Sequence, residues 1–172
     1  MTVQFSRRVL WEGDVIAWIA ATFHGRSTPV VGADLGCGGG SRAALALSHH
    51  RHMTLWLVDR ASAPSPLQRS ADLEQAARSR ARAFGCRARI AIGDVAPPDR
   101  IGDGTLDFIF IDPRFGEPLL SQAWLPKIRP SGWIMGGGGF VAGQATAAAL
   151  HLLAPQIAPG GTWFTTFKEK PA

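Results

Sequence analysis

The sequence has few cysteines, no tyrosine and no long hydrophobic run. Its two cysteines, Cys37 and Cys86, form no CxxC pair, so neither a disulfide framework nor a zinc site is supported. The absence of tyrosine excludes mechanisms that use this residue as a general base. The longest uncharged apolar stretch near the start, residues 15–23, is too short to cross a bilayer, and the acidic Glu12 and Asp14 before it do not fit a secretory signal. We therefore expect a cytoplasmic protein with no membrane partner.

The length and the charge pattern limit the organisation of the chain. A chain of 172 residues can bury one substantial core, so we predict a single domain over residues 1–172, with residues 1–28 as an N-terminal helical extension. The formal net charge is +5, and seven arginines face only two acidic residues between Arg60 and Arg89. Such a cluster can attract phosphates or acidic partners, or it can be the solvated face of a helix.

Short apolar runs alternate with helical patterns along the chain. The predicted strands cover residues 29–35, 53–59, 87–94, 105–112, 132–136 and 161–167, and the predicted helices cover 12–23, 41–50, 65–84, 117–128 and 140–154. Alternation at this spacing implies right-handed crossovers between parallel strands. We therefore predict an α/β fold, a doubly wound and mostly parallel sheet of about six or seven strands with helices on both faces.

The segment VVGADLGCGGGS, residues 30–41, is a glycine-rich turn between a predicted strand and a predicted helix. Glycines at such a turn allow positive φ and let a ligand approach the main chain, but many nucleotide sites share this signal. Asp34 disfavours a pyrophosphate, which a carboxylate repels, and favours an ammonium group or its bound water. Further aspartates lie at or next to other strand ends, where ligands bind in such sheets: Asp59, Asp94 and Asp112.

The run DLGCGGG resembles the D/E-x-G-x-G-x-G loop of class I S-adenosylmethionine-dependent methyltransferases, and the resemblance extends over residues 28–168. It implies a Rossmann-like fold, S-adenosyl-L-methionine as cofactor and S-adenosyl-L-homocysteine as product. By this resemblance, Asp34 lies near the methionine amino group and Asp59 binds the ribose hydroxyls. The loop residues that cradle the methionine and ribose are then Gly36, Cys37, Gly38 and Gly40.

The same resemblance implies roles for residues further along the chain. The run GDV, residues 93–95, resembles the segment beside the adenine, with Asp94 bonded to the exocyclic amine and Val95 packed on the ring. We include Arg60, directly after Asp59, among the cofactor-binding candidates. Asp112 ends the fourth predicted strand, next to the methyl group to be transferred.

One template for the acceptor site comes from small-molecule O-methyltransferases of the macrolide and catechol type. The run AWLPKIRPSGWIMG, residues 123–136, is the closer match to these enzymes, which often hold magnesium with carboxylates after the fourth and fifth strands. Asp112 remains here, but Arg114, Phe115 and Gly139 stand where the other ligands would be. Because a cation at position 114 opposes a magnesium ion, we predict metal-independent methyl transfer to a small-molecule acceptor.

A second template comes from nucleic-acid amino-methyltransferases. Their D/N-P-P-Y/F motif bonds the target amine and stacks on a flipped base, and DPRF, residues 112–115, resembles it. N-methylation of a nucleic-acid base is therefore the alternative, and the arginine-rich segment would suit a phosphate backbone. On both templates the catalytic candidates are Asp112, Arg114 and Phe115, with Asp112 as polar anchor or base.

Two other functions stay open at this point, and so does a homodimer. The missing metal ligands are compatible with a protein that binds S-adenosylmethionine but has lost catalysis. The glycine spacing of Gly38, Gly40 and Ala43 can also be fitted to a dinucleotide fingerprint, which would make the chain an NAD-dependent oxidoreductase.

Overall fold

A single sheet organises the described part of the chain. The computed structural model describes residues 19, 22–23, 26–60, 70–93, 96–112, 123–136, 156–157 and 163–166. The strands are β1 (Val30–Leu35), β2 (Met53–Arg60), β3 (Ala88–Gly93), β4 (Leu106–Ile111), β5 (Ile128–Gly136), β6 (Gln156–Ile157) and β7 (Trp163–Thr166). The α-helices are α1 (Ser41–His49) and α2 (Ser70–Ala81), and short 3-10 helices cover Arg82–Arg87 and Leu125–Lys127.

The strand order is β3-β2-β1-β4-β5-β7-β6. The first five strands of this order are parallel to one another, whereas β7 runs antiparallel to both β5 and β6. The predicted α/β fold with a doubly wound, mostly parallel, Rossmann-like sheet is therefore confirmed. The order reverses at β1, so the carboxyl ends of β1 and β4 border the crevice in which such sheets bind ligands.

Apolar side chains cover both faces of the sheet. Successive residues of β4 point to opposite faces, so Phe108 and Phe110 join one buried cluster while Ile109 and Ile111 join the other. Burial on both faces accounts for the nearly continuous apolar run LDFIFI, in which every residue is buried. In the described part of the chain, no helix is both long enough and apolar enough to cross a membrane.

Some predicted elements differ from the observed ones. The predicted helix 117–128 ends early, because Ile128 already pairs with Leu106 and begins β5 four residues before the predicted start. The α-helix α2 stops at Ala81, and the 3-10 turns that follow are interrupted by a kink at Gly85, where φ is 56°. Strand β6 was not predicted, since two residues carry no periodic pattern. Several predicted segments lie outside the described residues: most of helix 12–23, the start of helix 65–84, residues 117–122 of helix 117–128, and helix 140–154.

Candidate functional site

The glycine loop joins β1 to α1 at the crevice. Gly36, Gly38 and Gly40 have φ values of 82°, 53° and 78°, a region that L-residues avoid. The main-chain N–H groups of Gly36 and Cys37 donate to the Val58 carbonyl, over 2.8 and 3.2 Å, which ties the loop to β2. A Cβ atom added at Gly38 would meet no atom of the described residues within 4 Å. The main chain at Gly38 therefore borders open space that a ligand can enter.

Asp59 connects the end of β2 to this loop. Its Oδ2 accepts a hydrogen bond of 2.6 Å from the Gly38 N–H, and its Oδ1 accepts one of 2.8 Å from the Arg60 N–H. Each carboxylate oxygen has a further lone pair, so Asp59 can also accept hydrogen bonds from ligand hydroxyls. The carboxylate is half-buried at the rim of the crevice.

A buried cluster of two aspartates and one arginine lies beneath the loop. The guanidinium of Arg42, in the first turn of α1, donates to Asp34 Oδ1 from Nη2 over 2.5 Å and from Nε over 3.2 Å. Its Nη2 also donates to the Gly36 carbonyl over 3.3 Å, and its Nη1 lies 3.8 Å from Asp112 Oδ2. The same group lies 4.0 Å from the ring centre of Phe110. The side chains are 3% exposed for Asp34, 5% for Asp112 and 12% for Arg42.

Burial controls the protonation of this cluster. It raises the pKa of Asp34 above the ordinary value, and the ion pair with Arg42 opposes that rise. Burial alone would lower the pKa of Arg42. Attraction to Asp34, and to a smaller extent to Asp112, outweighs the effect of burial and raises this pKa. Burial, with repulsion from Asp34 and Asp59, also raises the pKa of the Cys37 thiol, so Cys37 stays protonated and is no nucleophile.

One oxygen of Asp34 lacks a partner. Within the described part of the chain, Asp34 Oδ2 is buried and accepts no hydrogen bond, whereas Oδ1 is bonded to Arg42. An unsatisfied buried acceptor costs about 1–3 kcal/mol, which a ligand donor at the same position would recover. The carboxylate is therefore suited to a donor that arrives from the crevice.

The structure brings together most of the predicted site residues. Asp34, Asp59, Asp112 and the glycine loop meet at the carboxyl edge of the sheet, and the Asp112 N–H donates to the Leu35 carbonyl over 2.8 Å. The remaining candidates lie outside the described residues: Asp94, Val95, Arg114 and Phe115. Their roles, and the individual roles of the residues that do meet, stay predictions.

Two arginines of the site were not predicted. Arg42 was interpreted only as part of a helix, although a cation in the first turn of a helix opposes the helix dipole and so signals an acidic partner. Arg80 of α2 belongs to the predicted helix 65–84 and is exposed, and its Nη1 donates to the Gly39 carbonyl over 2.5 Å. Neither contact follows from sequence spacing, since Arg80 and Gly39 are 41 residues apart.

The question of a metal ion depends on residues beyond this cluster. Among the described residues, no group of three or more His, Cys, Asp or Glu side chains could hold a metal ion. The three positions where the sequence lacks the expected magnesium ligands lie outside those residues: Arg114, Phe115 and Gly139. Metal independence therefore stays a prediction.

Known methyltransferase structures share this fold. The S-adenosylmethionine-dependent methyltransferase SibL superposes with a TM-score of 0.63 at 13% identity, over 91% of this chain and 54% of that one. An O-methyltransferase family protein from Burkholderia thailandensis gives 0.62 at 12%, over 93% and 57%. Precorrin-6y C5,15-methyltransferase from Geobacter metallireducens gives 0.61 at 14%, over 96% and 94%. This chain thus spans little more than half the length of the first two proteins.

Two comparisons by sequence gave no match. No protein-family model matches this chain, and a search of curated proteins finds no match. At 12–14% identity the three structures share only the fold with this chain, so its function must be argued from its own site.

Proposed function

We propose that this chain transfers a methyl group from S-adenosyl-L-methionine to a small-molecule acceptor without a metal ion. The observation that carries the proposal is the unpartnered, buried Asp34 Oδ2 beside a glycine loop that borders open space at Gly38. Asp59 and Asp112 complete a set of three carboxylates at the same edge of the sheet. The fold shared with known methyltransferases supports the same proposal.

The charges of the site suit the amino-acid end of this cofactor. Asp34, Asp112 and Arg42 together carry one net negative charge. An ammonium, a sulfonium and a carboxylate together carry one net positive charge, so the two sets are complementary. Asp34 Oδ2 would accept a hydrogen bond from the ammonium, and Arg42 would bind the carboxylate with the N–H groups that Asp34 leaves unused.

The rest of the proposed site holds the nucleoside. Asp59 would accept hydrogen bonds from the ribose hydroxyls, while its bond to the Gly38 N–H keeps the loop in place. We assign Asp94 and Val95 to the adenine on the resemblance described above. The bound cofactor supplies an electrophilic methyl group on a positively charged sulfur.

The residues of the chain contribute mainly alignment to the reaction. An in-line displacement gains most of its rate from correct positioning of the two reactants. The main-chain bond from Asp112 to Leu35 and the nearby Arg42 guanidinium hold the Asp112 side chain at the crevice, where it can anchor a polar acceptor or take its proton. Arg114 and Phe115, next along the chain, are proposed to contact the acceptor.

The arginine-rich segment supports a small acceptor over nucleic acid. Four of its arginines have intrachain partners: Arg78 pairs with Glu74, Arg80 donates to Gly39, Arg87 donates to Leu47 and His50, and Arg89 lies over the Trp56 ring. Much of the basic surface thus has a structural use. The DPRF run at residues 112–115 still favours base N-methylation as the second candidate function.

Calorimetry on the full chain tests the cofactor assignment. We expect S-adenosylhomocysteine to bind, and we expect Arg42→Gln to weaken it about tenfold or more through loss of a charge-assisted contact. Methylthioadenosine, which lacks the amino-acid carboxylate and ammonium, should bind the variant and the wild type equally. Absence of S-adenosylhomocysteine binding, or tight nicotinamide dinucleotide binding instead, would refute the proposal.

Turnover assays then test the acceptor and the metal. We expect S-adenosylhomocysteine release with a panel of small hydroxylated or amino compounds in the presence of a chelator. Release with short oligonucleotides alone would favour base methylation, and cofactor binding without transfer to any acceptor would favour a protein that only binds the cofactor. Loss of activity with chelator and its return with magnesium would contradict metal independence.

A further inference from the structure

A cleft of about 630 Å³ lies at the opposite edge of the sheet from the glycine loop. Val30, at the start of β1, and the turn between α1 and β2 form part of its wall, together with Phe23. Because β1 has six residues that each rise about 3.3 Å, this cleft lies about 20 Å from the proposed cofactor site. Its volume is within the ~300–1,000 Å³ typical of small-molecule sites.

The described wall of this amino-edge cleft is basic. It contains Arg26, Arg51 and three histidines, and none of its described residues is acidic. Arg26 shares the buried Asp107 carboxylate with Arg129, so two guanidinium groups face one negative charge. Arg51 donates from Nε to His52 Nε2 over 3.0 Å and has no ion pair within the described part of the chain. Arg26, Arg51 and Arg129 against the one charge of Asp107 leave two net positive charges, and Arg26 and Arg51 are the two of these arginines that line the cleft.

The end of α1 does not cancel this charge. The last carbonyl groups of a helix carry partial negative charge and would repel an anion. Here Arg87 donates from Nη1 to the Leu47 carbonyl over 3.0 Å and to the His50 carbonyl over 2.9 Å. Arg87 lies outside the cleft and donates to these two carbonyls, so they do not offset the positive potential of Arg26 and Arg51.

We propose that the amino-edge cleft binds a small organic phosphate. Two uncompensated positive charges match a phosphate dianion, and guanidinium groups bind phosphate oxygens through paired N–H donors. The volume exceeds what a free phosphate ion needs, which leaves room for an organic group. This site is separate from the cofactor site, and the proposal does not depend on methyl transfer.

Titration calorimetry with phenyl phosphate tests this site, because the probe has no nucleoside that could enter the cofactor site. Arg51→Gln removes one charge from an exposed side chain, and we expect it to weaken binding about tenfold or more. The matched control is Arg82→Gln, which removes the same charge from an exposed arginine outside the cleft and should bind like the wild type. Asp59→Ala should also bind the probe normally.

Two further ligands separate the contributions of phosphate and organic group. Phenol should not bind, and inorganic phosphate should bind more weakly than phenyl phosphate. The proposal is overturned if phenyl phosphate does not bind, if inorganic phosphate binds equally well, or if Arg51→Gln and Arg82→Gln lose the same affinity. A short single-stranded RNA gives a further test. If it displaces phenyl phosphate, and if Arg51→Gln and Arg82→Gln weaken its binding equally, the surface binds nucleic acid without a defined site and the proposal is overturned.

Discussion

The buried charged clusters at the two edges of the sheet carry opposite net charge. In the buried cluster at the carboxyl edge, Asp34 and Asp112 together exceed the charge of Arg42, so this cluster is suited to a cationic group. At the amino edge, Arg26 and Arg51 exceed the acidic groups, and the cleft there is suited to an anion. One sheet thereby carries two proposed ligand sites of opposite sign, because parallel strands gather their starts at one edge and their ends at the other.

Asp34 and Asp107 differ in how fully their oxygens are bonded. Both are buried in neighbouring strands and both pair with arginine. Both oxygens of Asp107 have partners: Oδ1 contacts Arg26 and Arg129, and Oδ2 accepts a 2.8 Å bond from the Val31 N–H. Asp34 leaves Oδ2 without a hydrogen bond in the described part of the chain. The contacts of Asp107 thus join parts of the fold, whereas the buried Oδ2 of Asp34 has the capacity to accept a hydrogen bond from a ligand.

The largest expected effect comes from removing the cation at the carboxyl edge. Arg42→Gln leaves the Asp34 charge buried without its partner, which should cost about 3–5 kcal/mol of unfolding free energy at pH 7. Burial already raises the pKa of Asp34 from 3.8, so the folded state holds its proton to higher pH than the unfolded state. The free energy of unfolding therefore falls as the pH rises from 3.8 through the pKa of Asp34 in the folded state. The variant should lose more of it, because removing Arg42 raises this folded-state pKa further.

Urea unfolding between pH 4 and pH 8 measures this effect. The deficit of Arg42→Gln should be small near pH 4 and should grow with pH. Adding Asp34→Asn to Arg42→Gln removes the titrating group, so the double variant should regain stability at pH 7 and lose the extra pH dependence. A deficit that is constant over the whole range would show that Asp34 does not titrate in the folded protein.

At the amino edge, Asp107→Asn should destabilise the fold by about 3 kcal/mol, because it removes the charge that two arginines and the Val31 N–H share. Asp103→Asn is the matched control. Its side chain is 72% exposed and pairs only with Lys127 in the described structure, so it should cost less than about 1 kcal/mol. Chemical denaturation compares the two variants, and equal losses would contradict the structural role of Asp107.

Asp59→Ala tests the proposed ligand contacts at the carboxyl edge. We expect S-adenosylhomocysteine affinity to fall by on the order of 1–3 kcal/mol, since the variant loses both the ribose contacts and the bond that holds Gly38. Asp59→Asn keeps the shape of the side chain and should lose less than Asp59→Ala. Calorimetry gives both values, and an unchanged affinity for the alanine variant would remove Asp59 from the cofactor site.

The sequence predicted the sheet and the position of its acidic ends. Apolar runs of strand length and the helical spacing between them are local signals, and a parallel sheet then gathers Asp34, Asp59 and Asp112 at one edge. These signals require no knowledge of how distant side chains pack.

The partners of those side chains could not be predicted in the same way. The contacts of Arg42 with Asp112 and of Arg80 with Gly39 depend on how helices pack against the sheet, which sequence spacing does not determine. The amino-edge cleft combines Arg26 with residues about 25 positions later, and only the folded chain brings them together. Local patterns thus predicted which strand ends carry the aspartates but not how their charges are balanced.

The variants with the smallest expected loss of stability test whether a ligand occupies the open space beside the glycine loop. Gly38 and Gly104 have φ values of 53° and 66°, and a Cβ atom at either position would meet no atom within 4 Å. Gly38→Ala and Gly104→Ala should therefore cost the same conformational energy, about 1 kcal/mol each, by thermal or chemical unfolding. Only Gly38→Ala should weaken S-adenosylhomocysteine, because its methyl group enters the crevice while Gly104 lies in a turn before β4. If both variants bound it as well as the wild type, the ligand would not approach the main chain at Gly38.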